Sequence, residues 1–515
     1  MRKSGILLHI SSLPSEYGIG KFGRGAYKFV DFLKKCRIGL WQILPLSPTG
    51  YGDSPYQSYS AFAGNPYFID FELLEADGLL VKSDYTTIDW NQNPDKVDYE
   101  FIEENIYPVL RKAYSRFRPD SEYYLFEYTS RDWLDDYALF MALKQSNNGL
   151  PWYQWPSSLA MTENAAVDNA KKSLSEEIKF QKFIQYCFIK QWKKLKSYAN
   201  SKGIEIIGDI PIYVSYDSVE VWKNPELFSL DQNKKPIAVA GCPPDTYSPT
   251  GQLWGNPLYN WKFHQRTDYE WWIKRFKNAT ELYDIVRIDH FRGFESFYSI
   301  PFENKTAEFG IWQKGPNSEI FRKAEMAIGK MNIIAEDLGF ITDEVQAMLD
   351  RTGYPGMKVI QFGFSNPRNN YLPHNYLTTN SFAYTGTHDN DTLKGWYKSL
   401  DKQTRDFCKA YLNVKNDEDV PYALLRTVWS SVAEVAVAQF QDFADKGSDS
   451  RMNIPSTLSG NWKYRAKDTD FTTELKEKIL MLNILFNRCT RPAPKKERTD
   501  LNEQADFSDR FKKKP

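Results

Sequence analysis

The chain has 515 residues, and its 66 Lys and Arg residues balance 66 Asp and Glu residues, so the formal net charge is zero. This balance disfavours a nucleic-acid-binding or polybasic membrane-surface protein, and no apolar run is long enough to span a membrane. The five cysteines are widely spaced, which favours a reducing cytoplasm over a disulfide framework. The N-terminal apolar run is too short for a secretory signal.

Short apolar runs that end in polar clusters recur along the chain, and helical patterns separate many of them. Near-continuous apolar runs are typical of parallel strands covered on both faces, and alternating strands and helices indicate a parallel α/β fold. Helices are predicted over 26–36, 423–437 and 471–486, and the run at 435–440 fits either an eighth strand or the end of the second helix. Seven runs predict strands, at 5–10, 40–46, 204–212, 285–289, 331–339, 357–364 and 382–389.

The length and the strand count fit a (β/α)8 TIM barrel with large insertions. We predict a single catalytic barrel domain over 1–488. Two gaps between predicted strands are too long for simple crossovers, and we assign both to insertions: a helix-rich one at about 70–200 and a loop-rich one at about 213–283. The polar, charged tail at 489–515 is predicted to be disordered.

Three of the predicted strands lead into a carboxylate, namely Asp289, Glu336 and Asp389. The carboxyl ends of parallel strands gather on one face of a barrel, where active sites lie. Acids that converge there oppose each other's ionisation, which is costly unless they take part in chemistry. A retaining glycosyl transfer needs such a pair, an ionised nucleophile and a protonated acid about 5–5.5 Å apart.

The residues around these acids favour different roles for them. Arg287 lies two residues before Asp289, so both side chains point to the same face of a strand. A guanidinium at that position favours the ionised, nucleophilic form of Asp289. Glu336 follows an apolar run, and apolar surroundings raise the pKa of a carboxyl, as a general acid requires. Asp389 then serves to hold sugar hydroxyls in the transition state.

Each of these patterns also has a simpler structural explanation. An Arg-x-Asp pair at a strand end is more often an ion pair that stabilises the fold. His388, Asp389 and Asp391 could form a metal cluster, but consecutive side chains on an extended strand point to opposite faces. We therefore favour sugar contacts for this segment. The three acidic runs together, in this order, are more specific than any one of them.

Longer motifs are spread between LLHISSLP at 7–14 and NWKYR at 461–465. They are GYGDSPYQSYSAFAGNP (50–66), GDIPIYV (208–214), GCPPDTYSPTGQLWGNPLYNW (241–261), RIDHFRGF (287–294), AEDLG (335–339), YPGMKVIQF (354–362), TGTHDND (385–391) and RMNIPSTLSGNW (451–462). Together they resemble the motifs of the 4-alpha-glucanotransferases, the amylomaltases and plant disproportionating enzymes of the alpha-amylase clan.

This resemblance implies an enzyme that transfers α-1,4-glucan segments between malto-oligosaccharides and releases glucose. It implies that Asp289 is the nucleophile of a covalent glycosyl-enzyme, that Glu336 is the acid and base, and that Asp389 stabilises the transition state. Arg287 matches the arginine beside the nucleophile. Asp209 matches an aspartate at an earlier strand end, for which a structural role as hydrogen-bond acceptor is at least as good an explanation.

Further sugar contacts are expected in the loops. The loop that begins at Gly50 combines rings with polar groups, which suits glucose units. The segment 241–256 resembles the family's flexible loop over the active site, although Tyr247 stands where the family usually has Phe. The remaining predicted substrate-binding residues are Tyr51, Ser54, Tyr56, Asp245, Tyr247, Trp254, Asn256, His388 and Asn461.

The expected partners are malto-oligosaccharides and other α-1,4-glucans, with neither nucleic acid nor membrane, and the expected state is a monomer or homodimer. No cofactor and no metal are expected. Two alternatives stay open: an α-amylase-like hydrolase that uses the same carboxylates, and a non-catalytic glucan-binding protein. Hydrolysis raises the number of free reducing ends, whereas transfer leaves it nearly constant. Binding alone does not need a glutamate that holds a proton.

Overall fold

The computed structural model describes residues 2–244, 248–339, 341–457 and 459–489. The strands of these residues are β1 (Lys3–Leu7), β2 (Leu40–Gln42), β3 (Glu205–Ile210), β4 (Ala238–Cys242), β5 (Gln252–Pro257), β6 (Ile285–Ile288), β7 (Ser296–Pro301), β8 (Ile311–Lys314), β9 (Ile333–Ala335), β10 (Gly356–Val359), β11 (Ser381–Tyr384) and β12 (Val435–Gln439).

The α-helices of the same residues alternate with these strands over much of the chain. They are α1 (Arg24–Lys35), α2 (Phe71–Ala76), α3 (Tyr99–Arg116), α4 (Ser121–Ser146), α5 (Ser157–Ala160), α6 (Asn164–Ser173), α7 (Ser175–Ser201), α8 (Val219–Lys223), α9 (Trp261–Arg266), α10 (Glu270–Leu282), α11 (Glu319–Ile328), α12 (Asp343–Thr352), α13 (Leu393–Ser399), α14 (Lys402–Leu412), α15 (Val420–Ser430), α16 (Phe440–Phe443) and α17 (Thr473–Leu485). No described helix has the length and apolar character that a membrane span needs.

Eight parallel strands form the central sheet, in the order β10-β11-β12-β1-β2-β3-β6-β9. Its two outer strands meet, because the Ala335 amide of β9 donates to the Pro355 carbonyl just before β10 at 2.9 Å. Every residue of β9, β11 and β12 is buried, as expected for strands with the core on one side and helices on the other. The predicted (β/α)8 barrel is confirmed.

All seven predicted strands are present, and the run at 435–440 contains the eighth, β12. The helix predicted over 423–437 is therefore too long, because α15 ends at Ser430. Val435, which fits the apolar stripe of that helix, pairs instead with Lys3 of β1 and Phe382 of β11. The helical spacing of apolar residues continues past Ser430 by coincidence. Pairing with β1 and β11, which are distant in sequence, makes this segment a strand.

Two segments extend the barrel. Helices α2–α7 occupy the first, as predicted for 70–200, and α7 leads back into β3. The second, predicted as loop-rich at 213–283, also contains three α-helices and the strands β4 and β5 between its loops. These two strands join β7 and β8 in an antiparallel sheet of order β5-β4-β7-β8. The part of the predicted tail 489–515 that follows Cys489 lies outside the described residues.

Arg488, just after α17, joins the first and last strands of the barrel. It is fully buried. Its guanidinium donates, at 2.7 to 3.2 Å, to the carbonyl oxygens of Lys3, Trp429, Ser431, Ala433 and Glu434. These carbonyls belong to β1, to the last turn of α15 and to the turn that leads from α15 into β12. Arg488 therefore satisfies polar backbone groups that the barrel buries where β1 and β12 meet.

Replacement of Arg488 tests whether its side chain stabilises the junction of β1 and β12. Arg488→Met keeps most of the volume but leaves buried carbonyls without a donor, at a cost on the order of 3 kcal/mol. We expect a clearly lower midpoint of thermal unfolding. The matched control is Arg426→Met, which removes an exposed arginine that lies over the Phe486 ring in the same region. Equal midpoints for the two variants would contradict this stabilising role of Arg488.

Candidate active site

Four barrel strands carry polar side chains to the same end of the barrel. Asp209 in β3 is the register partner of Arg287 in β6, so these two residues are neighbours across the sheet. Asp289 directly follows β6, Glu336 directly follows β9, and Asp389 follows β11 after a short turn. The carboxyl ends of the strands thus carry the acids that the sequence analysis singled out, on the face where barrel active sites lie.

The Arg287 guanidinium lies between two carboxylates. Its Nη1 is 2.6 Å from Asp209 Oδ2 and 2.9 Å from Asp289 Oδ1. Burial opposes the charge of Arg287, but Asp209 and then Asp289 outweigh burial and raise its pKa above the ordinary value. The Asp209 side chain is wholly buried, whereas that of Asp289 is 30% exposed. Of the two carboxylates, Asp289 is therefore the one that a substrate can reach.

Glu336 occupies a different environment from Asp289. Its Oε2 accepts the His290 amide at 2.7 Å, and its Oε1 accepts the Leu338 amide at 2.8 Å. Burial raises the pKa of Glu336 to about 7; Arg287 opposes this increase and Asp289 adds to it. Near neutral pH this carboxyl can therefore both hold and release a proton.

The Asp389 carboxylate is held from one side. Asn453 Nδ2 donates to Asp389 Oδ1 at 2.6 Å, and Arg451 Nη2 donates to the Asp389 backbone carbonyl at 2.5 Å. The Asp389 side chain is nevertheless 46% exposed. It is therefore fixed in place and still open to a ligand.

His388 and Asp389 contact each other, with 3.3 Å between Nε2 and Oδ1. The prediction that these consecutive side chains point to opposite faces is wrong, because β11 ends at Tyr384 and the two residues lie in a turn. Within the described ranges, no group of three or more His, Cys, Asp or Glu side chains is arranged to hold a metal ion.

Tyr56 connects the first loop to this centre. Its hydroxyl donates to Asp209 Oδ2 at 2.7 Å, and its ring stacks on His388 with 4.8 Å between centroids. Ser54 Oγ accepts the Tyr56 amide at 3.2 Å, which holds the turn that presents the ring. The side chain of Tyr51 lies outside the described part of the chain.

The antiparallel sheet contributes two of the predicted contact residues. The Trp254 ring meets the His290 ring edge to face, with 4.8 Å between centroids. Asn256 is buried and donates to a backbone carbonyl in the loop after β3 at 2.8 Å. Trp254 therefore contacts the residue that follows Asp289 in the chain. Asn256 instead links the antiparallel sheet to the barrel. Asp245 and Tyr247 lie outside the described residues.

Asn461 makes its contacts within its own loop. Its Oδ1 accepts the Ile454 amide at 3.0 Å, and its Nδ2 donates to Thr457 Oγ1 at 2.9 Å. The side chain is buried. In this structure Asn461 therefore shapes the loop next to Asn453, the residue that holds Asp389.

Sequence reasoning missed four groups that hold the acids. His290 and Leu338 act through backbone amides, which leave no trace in residue type. Arg451 and Asn453 act through side chains and lie in the RMNIPSTLSGNW motif. The motif itself is the only sequence signal that points to them, because the contact joins segments far apart in the chain.

A family model for 4-alpha-glucanotransferase matches residues 8–472. The chain belongs to this family. A 4-alpha-glucanotransferase of Clostridium butyricum is 49% identical over 94% of this chain and 100% of its own length, and one of Thermus thermophilus is 46% identical over 92% and 96%. The structure of amylomaltase from Streptococcus agalactiae in complex with acarbose has a TM-score of 0.92 at 43% identity, covering 95% of this chain and 100% of that chain.

A more distant structure shares the fold. Amylomaltase from Corynebacterium glutamicum has a TM-score of 0.77 at 16% identity, covering 93% of this glucanotransferase and 75% of that chain. The fold therefore persists where most residues differ.

The environment of Glu336 predicts its titration in this glucanotransferase. We expect its carboxyl to lose the proton with a midpoint at pH about 7. Infrared difference spectra of wild type against Glu336→Gln, recorded as a function of pH, isolate this carboxyl. The same difference for Glu344→Gln is the control, because the bond from Thr342 lowers the pKa of that exposed group. A Glu336 midpoint near the ordinary 4.5 would show that burial does not govern this residue.

Proposed function

We propose that this glucanotransferase transfers α-1,4-glucan segments between malto-oligosaccharides, with glucose among the products, by a double displacement that retains the anomeric configuration. One observation carries the proposal. A carboxylate held by an arginine and a carboxyl whose pKa is raised to about 7 follow neighbouring strands, β6 and β9. Two carboxyls in such different environments suit the nucleophile and the acid of a retaining mechanism.

In the first step, the free oxygen of Asp289 attacks the anomeric carbon of a glucose unit. The Arg287 contact holds the other oxygen, which orients the carboxylate. Glu336 gives its proton to the glycosidic oxygen as the bond to the leaving glucan breaks. Each oxygen of Glu336 has two acceptor sites and only one is occupied by a backbone amide, so a proton can be carried on the other site.

In the second step, the ionised Glu336 removes the proton from the 4-hydroxyl of an incoming sugar. That oxygen attacks the anomeric carbon, a new α-1,4 bond forms, and the Asp289 carboxylate leaves. Glu336 is protonated again and the cycle closes. Asp289 and Glu336 account for every bond and proton in this scheme, so we propose neither a metal nor a cofactor.

The other site residues bind the substrate or support those that do. Asp389 and His388 contact each other, and the Asp389 carboxylate is both held in place and partly exposed, which suits binding of sugar hydroxyls. Asp209 holds Arg287 and Tyr56 from below, which supports a structural role. We propose sugar contacts for the remaining predicted residues Tyr51, Ser54, Tyr56, Asp245, Tyr247 and Trp254. For Asn256 and Asn461 we propose a sugar contact only in addition to the structural bonds described above.

We further propose that residues 1–488 form one catalytic domain that works in the cytoplasm as a monomer or homodimer. The carboxyl trio comes from a single chain, so no second copy is needed to complete it. The buried Cys36, Cys187 and Cys408 carry thiols, which fits a reducing compartment.

The nucleophile is tested by Asp289→Asn with maltotriose as substrate. The change keeps the shape of the side chain but removes the attacking charge, so we expect turnover to fall on the order of 10⁴-fold or more. Folding persists because Arg287 keeps its partner Asp209. The measurement is maltodextrin redistribution together with free reducing ends, which separates transfer from hydrolysis.

The control for this experiment is Asp350→Asn, which makes the same change at an exposed carboxylate of α12. It should redistribute maltotriose like the wild type, with almost no new reducing ends. Near-normal redistribution by purified Asp289→Asn would refute the assignment of the nucleophile. A wild type whose reducing ends rise as fast as glucose appears would instead favour the hydrolase.

A further inference from the structure

Asp442 lies outside the carboxyl trio and connects two points that flank one of its members. It belongs to the short helix α16 after β12 and is buried. Its Oδ2 accepts the Thr385 hydroxyl at 2.5 Å, and its Oδ1 accepts the Leu393 amide at 2.7 Å. Thr385 directly follows β11 and Leu393 begins α13. One carboxyl therefore spans both ends of residues 386–392, here termed the Asp389 loop.

The end of β12 and the chain after it also contact the Asp389 loop. Ser448 Oγ donates to Asp391 Oδ2 at 2.7 Å, and Gln439 Nε2 lies 3.5 Å from the Asp391 carbonyl. Asn453 adds the bond to Asp389 described above. These groups hold single points within the loop, whereas Asp442 fixes both of its ends.

We propose that Asp442 is a positioning residue for glucan transfer, which sets the location of the Asp389 carboxylate by holding Thr385 and Leu393 together. The proposal rests on the proposed role of Asp389 in the transition state. A shift of about 1 Å in a group that contacts the reacting sugar can cost roughly 10²-fold in rate. A buried carboxyl with two short bonds is an effective way to prevent such a shift.

The hydrogen-bond pattern, rather than the charge, does this work. Burial raises the pKa of Asp442 to about 7 and Asp391 adds to the increase, while the bonds from Thr385 and Leu393 and the charge of Lys478 oppose it. In its neutral form, the carboxyl donates to the Thr385 hydroxyl and accepts the Leu393 amide. An asparagine amide makes the same two bonds, so Asp442→Asn should keep the Asp389 loop in place. Asp442→Ala removes both bonds.

The experiment measures kcat and KM for maltotriose, with the midpoint of thermal unfolding, in four variants of the whole enzyme. We expect Asp442→Ala to lower kcat roughly 10²-fold with a smaller change in KM, and Asp442→Asn to restore most of kcat. Thr385→Val removes one bond and should lower kcat less. Adding it to Asp442→Ala should cost little more, because both changes remove the same bond.

The matched control is Asp445→Asn. Asp445 lies three residues further along, is exposed, and pairs with Lys394 of α13 at 2.7 Å. Its backbone has a φ of 53°, which asparagine tolerates. This variant alters a carboxylate between the same two segments without touching Thr385 or Leu393, so its kcat should match the wild type.

Several results would overturn the proposal. One is a full kcat in Asp442→Ala; another is an Asp442→Asn variant as impaired as Asp442→Ala. Should Asp442→Ala fail to fold, Thr385→Val decides, since a lower kcat at an unchanged unfolding midpoint supports positioning and an unchanged kcat refutes it. Asp389→Asn distinguishes failure of the proposed role of Asp389 from failure of the proposed role of Asp442. An active Asp389→Asn variant would refute the role of Asp389 in the transition state. An inactive Asp389→Asn variant together with fully active Asp442 variants would refute only the positioning role of Asp442.

Discussion

The Arg287 guanidinium contacts two carboxylates at once, and the rest of the site is arranged around it. The register between β3 and β6 sets Asp209 on one side, and strand alternation sets Asp289 on the other. Because Asp209 is buried, loss of the arginine would leave an unpaired charge, which typically costs about 3–5 kcal/mol. Tyr56 extends the network from Asp209 to the His388 ring. The loop after β2 and the turn after β11 are thus tied to one ion-pair centre.

The barrel also gives two neighbouring acids opposite surroundings. Asp289 is partly exposed and faces a guanidinium, whereas Glu336 accepts two backbone amides. Burial favours the protonated form of Glu336, and the amides and Arg287 keep that preference within reach of neutral pH. Two acids in the same surroundings would only oppose each other's ionisation. Because Asp289 and Glu336 lie on adjacent strands with different contacts, Asp289 can attack while Glu336 carries a proton.

Much of the fold and of the centre could be predicted from local rules. Buried parallel strands show as apolar runs, and the two-residue spacing of Arg287 and Asp289 places both on one face wherever the strand lies. The missing parts depend on contacts between distant segments. Strand β5 forms by pairing with β4, and β4 also pairs with β7. The turn that brings His388 to Asp389 depends on where β11 ends. Backbone amides at Glu336 have no signature in residue type at all.

The central claim is that Asp289 becomes covalently attached to the sugar while Glu336 manages the proton. Glu336→Gln cannot activate an acceptor, yet a glucosyl donor with a good leaving group needs little acid for the first step. Incubation of this variant with such a donor, followed by proteolysis and mass spectrometry of the peptides, tests the claim most directly. The account predicts that a glucosyl adduct accumulates on Asp289. An adduct on Asp209, Asp389 or any other residue would contradict it.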